Sequence, residues 1–302
     1  MKQAVDYKLK LGYRMRKSYI SYVMMTPFLV AFLFFTVLPV LAAVLLSFTD
    51  FNMLQLPQIT GFDNYKRLFL EDEVFLTAVK NTMILTFVNG PIGYLVAFLL
   101  AWLINEMPNK ARVIITFIFY APSISGNVYF IWKFLFSGDA YGFINGFLMR
   151  MGFINEPVLW LTNVGTAMVV VILVQFWTSL GASFLAFIAG FQSVDRSQYE
   201  AAAIDGVRNR FGELWYVTIP NMKPMLLFGA VMLIANTFSV GAVTDELTGG
   251  HMSIQASTLT IVNHMTDYGS VRYEMGYASA IAVILFLLVY FSKRLIFRLL
   301  RW

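Results

Sequence analysis

The sequence predicts an all-α, polytopic membrane protein with about six spanning helices, and three observations carry that prediction. Of 302 residues, 59% are hydrophobic and only 13% charged, where soluble domains carry about 25% charged residues. Mean hydropathy is +0.69, too apolar for a chain that hides its surface from water by folding alone. The apolar residues also fall into runs near the roughly 20 residues that cross a bilayer as a helix, with every backbone polar group satisfied internally. The absence of cysteine excludes disulfides and thiol chemistry. A net charge of +5 is read as charge flanking membrane helices rather than a nucleic-acid surface.

The first twenty residues form a basic tail carrying Lys2, Lys8, Lys10, Arg14, Arg16 and Lys17. The apolar segment after it, about 22–48, is too long for the core of a signal peptide and is expected to stay as helix one, bent at Pro27 and Pro39. Helices two and three are expected over 82–104 and 113–136. The third is interrupted at Ala121-Pro122-Ser123-Ile124-Ser125-Gly126-Asn127, and broken backbone at membrane depth must line a cavity or be buried in protein. Helices four, five and six are expected over 164–189, 224–243 and 277–296. Residues 138–162 are expected to hold a short interfacial helix around 141–148, and 49–81 and 244–275 read as loops. The tail 1–20 and the membrane domain 21–302 complete the domain organisation.

Orientation follows from Lys and Arg. With six spans the termini, the 2–3 loop and the 4–5 loop share one side, and that side holds 16 of the 22 basic residues. It is therefore expected to be cytoplasmic.

The cytoplasmic segment 191–223 carries structure of its own. Asp195 can cap a short helix, with Gln198 placed for a capping box, and Gly206 stands where that helix should stop. Its centre is Ala201-Ala202-Ala203, high in helix propensity and small enough for another backbone to approach. A second short segment, 209–219, ends at Pro220. On these features alone the stub either docks on a partner or packs on the chain's own helices.

The residues Glu200-Ala201-Ala202, then Gly206, then Val217-Thr218-Ile219-Pro220 resemble the EAA loop of binding-protein-dependent ABC importer permeases. Val217 and Ile219 stand where Ile and Leu are usual, and the spacing after Gly206 is one residue longer. The resemblance extends along the chain through Gly61-Phe62-Asp63-Asn64-Tyr65, Asn81-Thr82, Thr248-Gly249-Gly250 and Met275-Gly276-Tyr277-Ala278-Ser279-Ala280. These are similar to the carbohydrate class related to maltose and glycerol-3-phosphate permeases, in particular the first of the two permease subunits. The resemblance implies a type I importer permease in a bacterial or archaeal plasma membrane, non-catalytic and with both termini cytoplasmic. It implies pairing with a second related permease, two ATPase subunits that bind the ATP and Mg, and an extracytoplasmic solute-binding protein that delivers a sugar or oligosaccharide. It assigns Glu200, Ala201, Ala202, Asp205 and Gly206 to a coupling helix that enters the ATPase. No P-loop motif occurs in this chain, so no cofactor is expected here.

Intramembrane polar residues are costly and mark candidate pathways. Gln175, Thr178 and Ser179 share one helix face, and Asn236 and Ser239 share another, with Trp177 and Thr237 beside them. Amides, hydroxyls and aromatic surfaces suit a neutral polyol; the resemblance places the solute pocket on these two helices, with Asn236 where a sugar-binding asparagine is expected. The bland alternative is that these groups hydrogen-bond helices together. Asn127 and Tyr129 are weaker candidates. His251 and His264 lack ligand spacing and read as solvated loop residues, and Asp245-Glu246 as a membrane boundary. A self-contained secondary transporter or channel for a polar solute is the other functional class; the near absence of intramembrane acids argues against ion coupling. No clustered nucleophile, metal ligands or paired acids favour a membrane enzyme.

Overall fold

The structure, a computed structural model, describes residues 18–125, 128–250 and 253–299. The basic residues 2–17, Gly126, Asn127, His251 and Arg301, all used above, lie outside the described residues. Within them the chain is helical: α1 (Tyr19–Leu46), α2 (Glu73–Asn105), α3 (Asn109–Ile124), α4 (Val128–Leu135), α5 (Phe143–Arg150), α6 (Val164–Ser179), α7 (Ala182–Ser193), α8 (Arg196–Ile204), α9 (Arg210–Asn221), α10 (Lys223–Phe238), α11 (Ala242–Thr248), α12 (Ile261–Thr266) and α13 (Met275–Leu299). An isolated antiparallel bridge joins Thr49 to Ile59.

Helices α1, α2 and α13 are each long and apolar enough to cross a membrane. Three bent pairs raise the number to as many as six: α3 with α4 at 92°, α6 with α7 at 40°, and α9 with α10 at 79°. The expected helix four is thus two helices. Leu180 and Gly181 leave helical backbone values, a change of direction to which an apolar run is blind. The expected helix five stops at Phe238 instead of 243, and Asp245 and Glu246 lie within the separate short helix α11. Helix two starts nine residues before its expected start, because the Asp72 carboxylate accepts the Phe75 amide at 2.8 Å and caps it. Part of the expected loop 244–275 is α12, closed by a capping box between Thr260 and Asn263.

Helix α2 is the axis of the core. Phe75 and Ala78 pack with Leu259, Ile261, Tyr277 and Ile281 at one end. Leu85 packs with Val170, Val171, Val174 and Val240 in the middle. Ala97, Ala101 and Ile104 pack with Phe184, Phe187, Leu214 and Met222 at the other end. Helix α1, in contrast, buries none of its residues, and its apolar surface suits lipid or another chain.

Of the motifs that carry the family resemblance, those holding Asn64-Tyr65, Asn81 and Tyr277 are anchors at the end of the bundle holding Asp72. Asn64 Nδ2 donates to the carbonyls of Ser47 and Thr49 at 2.9 and 2.7 Å, and the Tyr65 hydroxyl donates to Ser47 Oγ at 2.7 Å. Asn81 Nδ2 donates to the carbonyls of Ala256 and Leu259 at 2.9 and 3.0 Å. Asp72 then binds the far helices: His264 Nε2 donates to Asp72 Oδ2 at 2.9 Å and the Tyr277 hydroxyl at 2.7 Å. Arg67 pairs with Glu274 at 2.5 Å and lies over the Tyr277 ring at 4.2 Å. His264 is therefore no solvated loop residue. It is 1% exposed, packed edge-on against Tyr268 at 4.9 Å between ring centroids. Its sequence neighbours are polar, and only α12 turns it inward.

Burial alone would raise the Asp72 carboxyl, but hydrogen bonds from Tyr277, the Phe75 amide and His264 outweigh burial and hold it below the usual carboxylate range. A depressed folded value means this stabilisation is full above the unfolded value of about 4 and is lost as pH falls through the lower folded value. The purified protein should keep its melting temperature between pH 5 and 8 as far as this group is concerned, and lose it below about pH 4. Asp72→Asn should melt lower at neutral pH and show a shallower acid decline, checked by differential scanning fluorimetry.

Candidate functional site

At the end of the bundle opposite Asp72, α8 stands out from the helices as a rigid stub. The Asp195 carboxylate accepts the Ser197 amide at 3.0 Å and caps its start. Gln198 does not complete a capping box; its amide oxygen accepts from Asn221 instead. The stub ends in a Schellman motif: the Val207 amide donates to the Ala202 carbonyl at 2.9 Å and the Gly206 amide to the Ala203 carbonyl at 3.3 Å. Gly206 has φ of +95°, backbone that glycine adopts without strain.

The stub is fastened on one face and bare on the other. The Tyr199 hydroxyl meets Thr218 Oγ1 at 2.9 Å and Ala202 is buried. Glu200, Ala201, Ala203, Asp205 and Gly206 are exposed, with Glu200 only loosely paired to Arg196 at 3.7 Å. Ile204 is 87% exposed at the tip, a residue that the motif does not single out. Arg210 of α9 ties this region to the end of α2, reaching Glu106 at 3.4 Å and Glu213 at 2.9 Å.

The second feature is a cavity of about 430 Å³ where the bent helices change direction. Gln175, Thr178 and Ser179 from α6 and Asn236 and Ser239 after the middle of α10 all line it, so two faces distant in sequence converge. Trp177 and Thr237 are not among its lining residues. Trp177 packs edge-on against Trp132 at 5.3 Å, and Thr237 is buried with its hydroxyl donating to the Ile234 carbonyl at 3.0 Å. Tyr129 joins the lining, as do Tyr120, Ser123, Ser125 and Met232, which helical spacing alone did not select. The signal for the serines was the Pro122 interruption, where a helix must open its backbone.

The lining carries no carboxylate, ammonium or guanidinium among the described residues. Thr178 donates to the carbonyls of Val174 and Gln175 at 3.1 Å, and Ser179 and Ser239 to those of Phe176 and Ala235 at 2.8 Å. Their oxygens keep lone pairs for an incoming donor. Such a wall offers neutral donors and acceptors beside aromatic surface. No group of three or more His, Asp or Glu residues suited to a metal ion occurs among the described residues.

Comparison with known proteins agrees with this architecture. The chain is 30% identical to the probable ABC transporter permease protein YesP of Bacillus subtilis, over 96% of this chain and 93% of that one. It is 30% identical to the lactose transport system permease protein LacF of Rhizobium radiobacter, over 84% and 85% of the two chains. Among solved structures, a chain of a bacterial alginate ABC transporter, in complex with its alginate pentasaccharide-bound periplasmic protein, shares the fold. The TM-score is 0.75 at 24% identity, covering 96% of this chain and 98% of the other. Residues 90–301 match the binding-protein-dependent transport system inner membrane component family, and the chain belongs to that family as a membrane-spanning ABC transport permease.

Proposed function

We propose that this permease forms half of the translocation pathway of an ATP-driven importer for a neutral sugar or oligosaccharide. One observation carries the proposal: stub and cavity are the two ends of one connected rod. Helix α8 is bonded to α9 through Tyr199–Thr218 and Gln198–Asn221. Helix α9 leads through the 79° bend into α10, and α10 and the residue after it carry Asn236 and Ser239 into the cavity. A push on the stub is thereby delivered to the cavity wall.

In this reading Glu200, Ala201, Ala202, Asp205 and Gly206 belong to the element that docks on a cytoplasmic ATPase, with Ile204 as its apolar tip. The partners are a second related permease, two ATPase subunits holding ATP and Mg, and an extracytoplasmic solute-binding protein. The stub and both termini face the cytoplasm. Closure of the ATPase pair rocks the bent helices and exposes the cavity alternately to each side. Gln175, Thr178, Ser179, Asn236 and Ser239 hydrogen-bond the solute hydroxyls. Trp177 and Thr237 act from behind the wall, shaping the pathway without lining it here. Relatives are named for lactose and arabinooligosaccharides but also for sn-glycerol-3-phosphate and sulfoquinovosyl glycerol, so their names support a carbohydrate-like solute, and it is the uncharged lining that supports a neutral one.

The test is uptake in proteoliposomes holding the assembled importer, with lactose and arabinotriose as first probes in a panel of neutral oligosaccharides. Uptake should need ATP and the binding protein, and Asn236→Leu should raise KM about tenfold, the loss of one to two hydrogen bonds. Uptake by this chain without an ATPase would establish the secondary-transporter reading instead.

A further inference from the structure

Asn89 is fully buried in the middle of α2, and neither its carboxamide oxygen nor its nitrogen has a hydrogen-bond partner among the described residues. One turn earlier on the same helix face, the Thr86 hydroxyl is buried and unpaired as well. Buried polar groups in native proteins are nearly always paired, so each exception calls for a cause. Leucine has nearly the shape of asparagine and would fill this position without leaving two amide groups stranded.

The position of Asn89 supplies the cause. Leu85, one turn away, packs with Val174 of α6 and with Val240 after α10. A Cβ on Gly93, one turn the other way, would lie 3.6 Å from Ser179 Oγ and 3.9 Å from the Leu233 methyls. Helical spacing therefore sets Asn89 at the level between Val174 and Ser179 on α6, and between Leu233 and Val240 along α10. Those intervals hold Gln175, Thr178, Asn236 and Ser239, all lining the cavity. Asn89 is thus one layer behind the cavity wall.

Every helix at this level has a weak point. α6 gives way to α7 at Leu180 and Gly181, and α10 ends at Ser239. α2 contains Pro91, two residues beyond Asn89, which gives no amide to the helix ladder. The break after α6 and the end of α10 fall at one depth beside the continuous α2, so the segments on either side of that level can shift against α2, and Asn89 is sealed at the seam between them.

We infer that Asn89 is a latent solute ligand: in the other state of the transport cycle these segments part, and its carboxamide enters the cavity to hydrogen-bond a hydroxyl of the neutral solute. The inference rests on the permease reading above and adds a third helix to the pathway. Its unsatisfied amide in the present state raises the energy of that state and favours the switch.

The absence of cysteine from this chain makes a direct test possible. Asn89→Cys gives this chain a single thiol, and Asn236→Cys provides a cavity control. Each is treated, in the assembled importer, with a charged methanethiosulfonate reagent at rest and after trapping with Mg, ATP and vanadate. Asn89→Cys should be protected at rest and react at least tenfold faster when trapped. In parallel, Asn89→Leu should keep or raise the melting temperature, because no hydrogen bond is lost, while raising KM for the transported oligosaccharide about fivefold. Reaction of the Asn89 thiol in neither state, or a lower melting temperature for Asn89→Leu, overturns the inference. If the Asn236 thiol itself fails to respond to trapping, the transport reading falls and this inference with it. If Asn236 responds and Asn89 does not, only this inference falls.

Discussion

Ile204→Asp should abolish ATP-driven uptake while leaving the permease folded and inserted. Ile204 is 87% exposed at the tip of a helix that both caps hold rigid, so its loss removes no internal contact of consequence. Burying an isoleucine in a partner groove contributes about 1.5–3 kcal/mol, and a carboxylate there adds a desolvation penalty. Affinity for the ATPase should therefore fall by more than about thirtyfold. The readouts are co-purification of the ATPase and solute-stimulated ATP hydrolysis, beside an unchanged melting temperature for the isolated permease. Gly206→Val attacks the same element through its backbone. No atom lies within 4 Å of a Cβ built at Gly206, so the substitution clashes with nothing. The cost is placing a β-branched residue at φ of +95°, at least about 1–2 kcal/mol, which unwinds the Schellman turn that aims Ile204. Wild-type uptake in both variants would show that α8 docks on nothing.

Gly276→Val should prevent the accumulation of folded protein altogether. The Gly276 amide donates to the Phe51 carbonyl at 2.8 Å, and a Cβ at this position would sit 2.0 Å from the Thr49 carbonyl oxygen. That oxygen cannot retreat, because Asn64 Nδ2 holds it at 2.7 Å. A side chain would wedge α13 away from the segment following α1, breaking the Phe51 bond and disturbing the Asp72–Tyr277 contact one residue on. The expected cost is more than about 3 kcal/mol, the upper range for overpacking. Size-exclusion profiles of the detergent-solubilised protein should show aggregate in place of a single species, with Gly276→Ala intermediate. A well-behaved Gly276→Val protein would mean that this close approach does not form.

Some of this was legible in the residues because it depends on neighbours in sequence. Apolar content and run length fix a helical membrane protein, since lipid leaves the backbone no partner but itself. Asp195 and Gly206 bound α8 because capping and positive φ are local chemistry. Gln175, Thr178 and Ser179 could be placed on one face from spacing alone, as could Asn236 with Ser239.

Only the tertiary structure decided what depends on direction and on contacts between distant segments. The bend at Gly181 and the end of α10 at Phe238 lie within the runs expected as helices four and five, whose hydropathy gives no sign of them. That Ser123 and Ser125 join Gln175 and Asn236, while Trp177 turns to Trp132 and Thr237 to its own helix, follows from how four helices cross. His264 reads as solvated among polar neighbours, yet α12 delivers it to Asp72, 192 residues away. Asn89 reads as one more polar residue in a long helix, and its meaning lies in the absence of any partner around it. Periodicity reports which side of a helix a residue occupies; what stands opposite that side is set by packing between helices, and that is where cavity, anchor and unpaired amide arise.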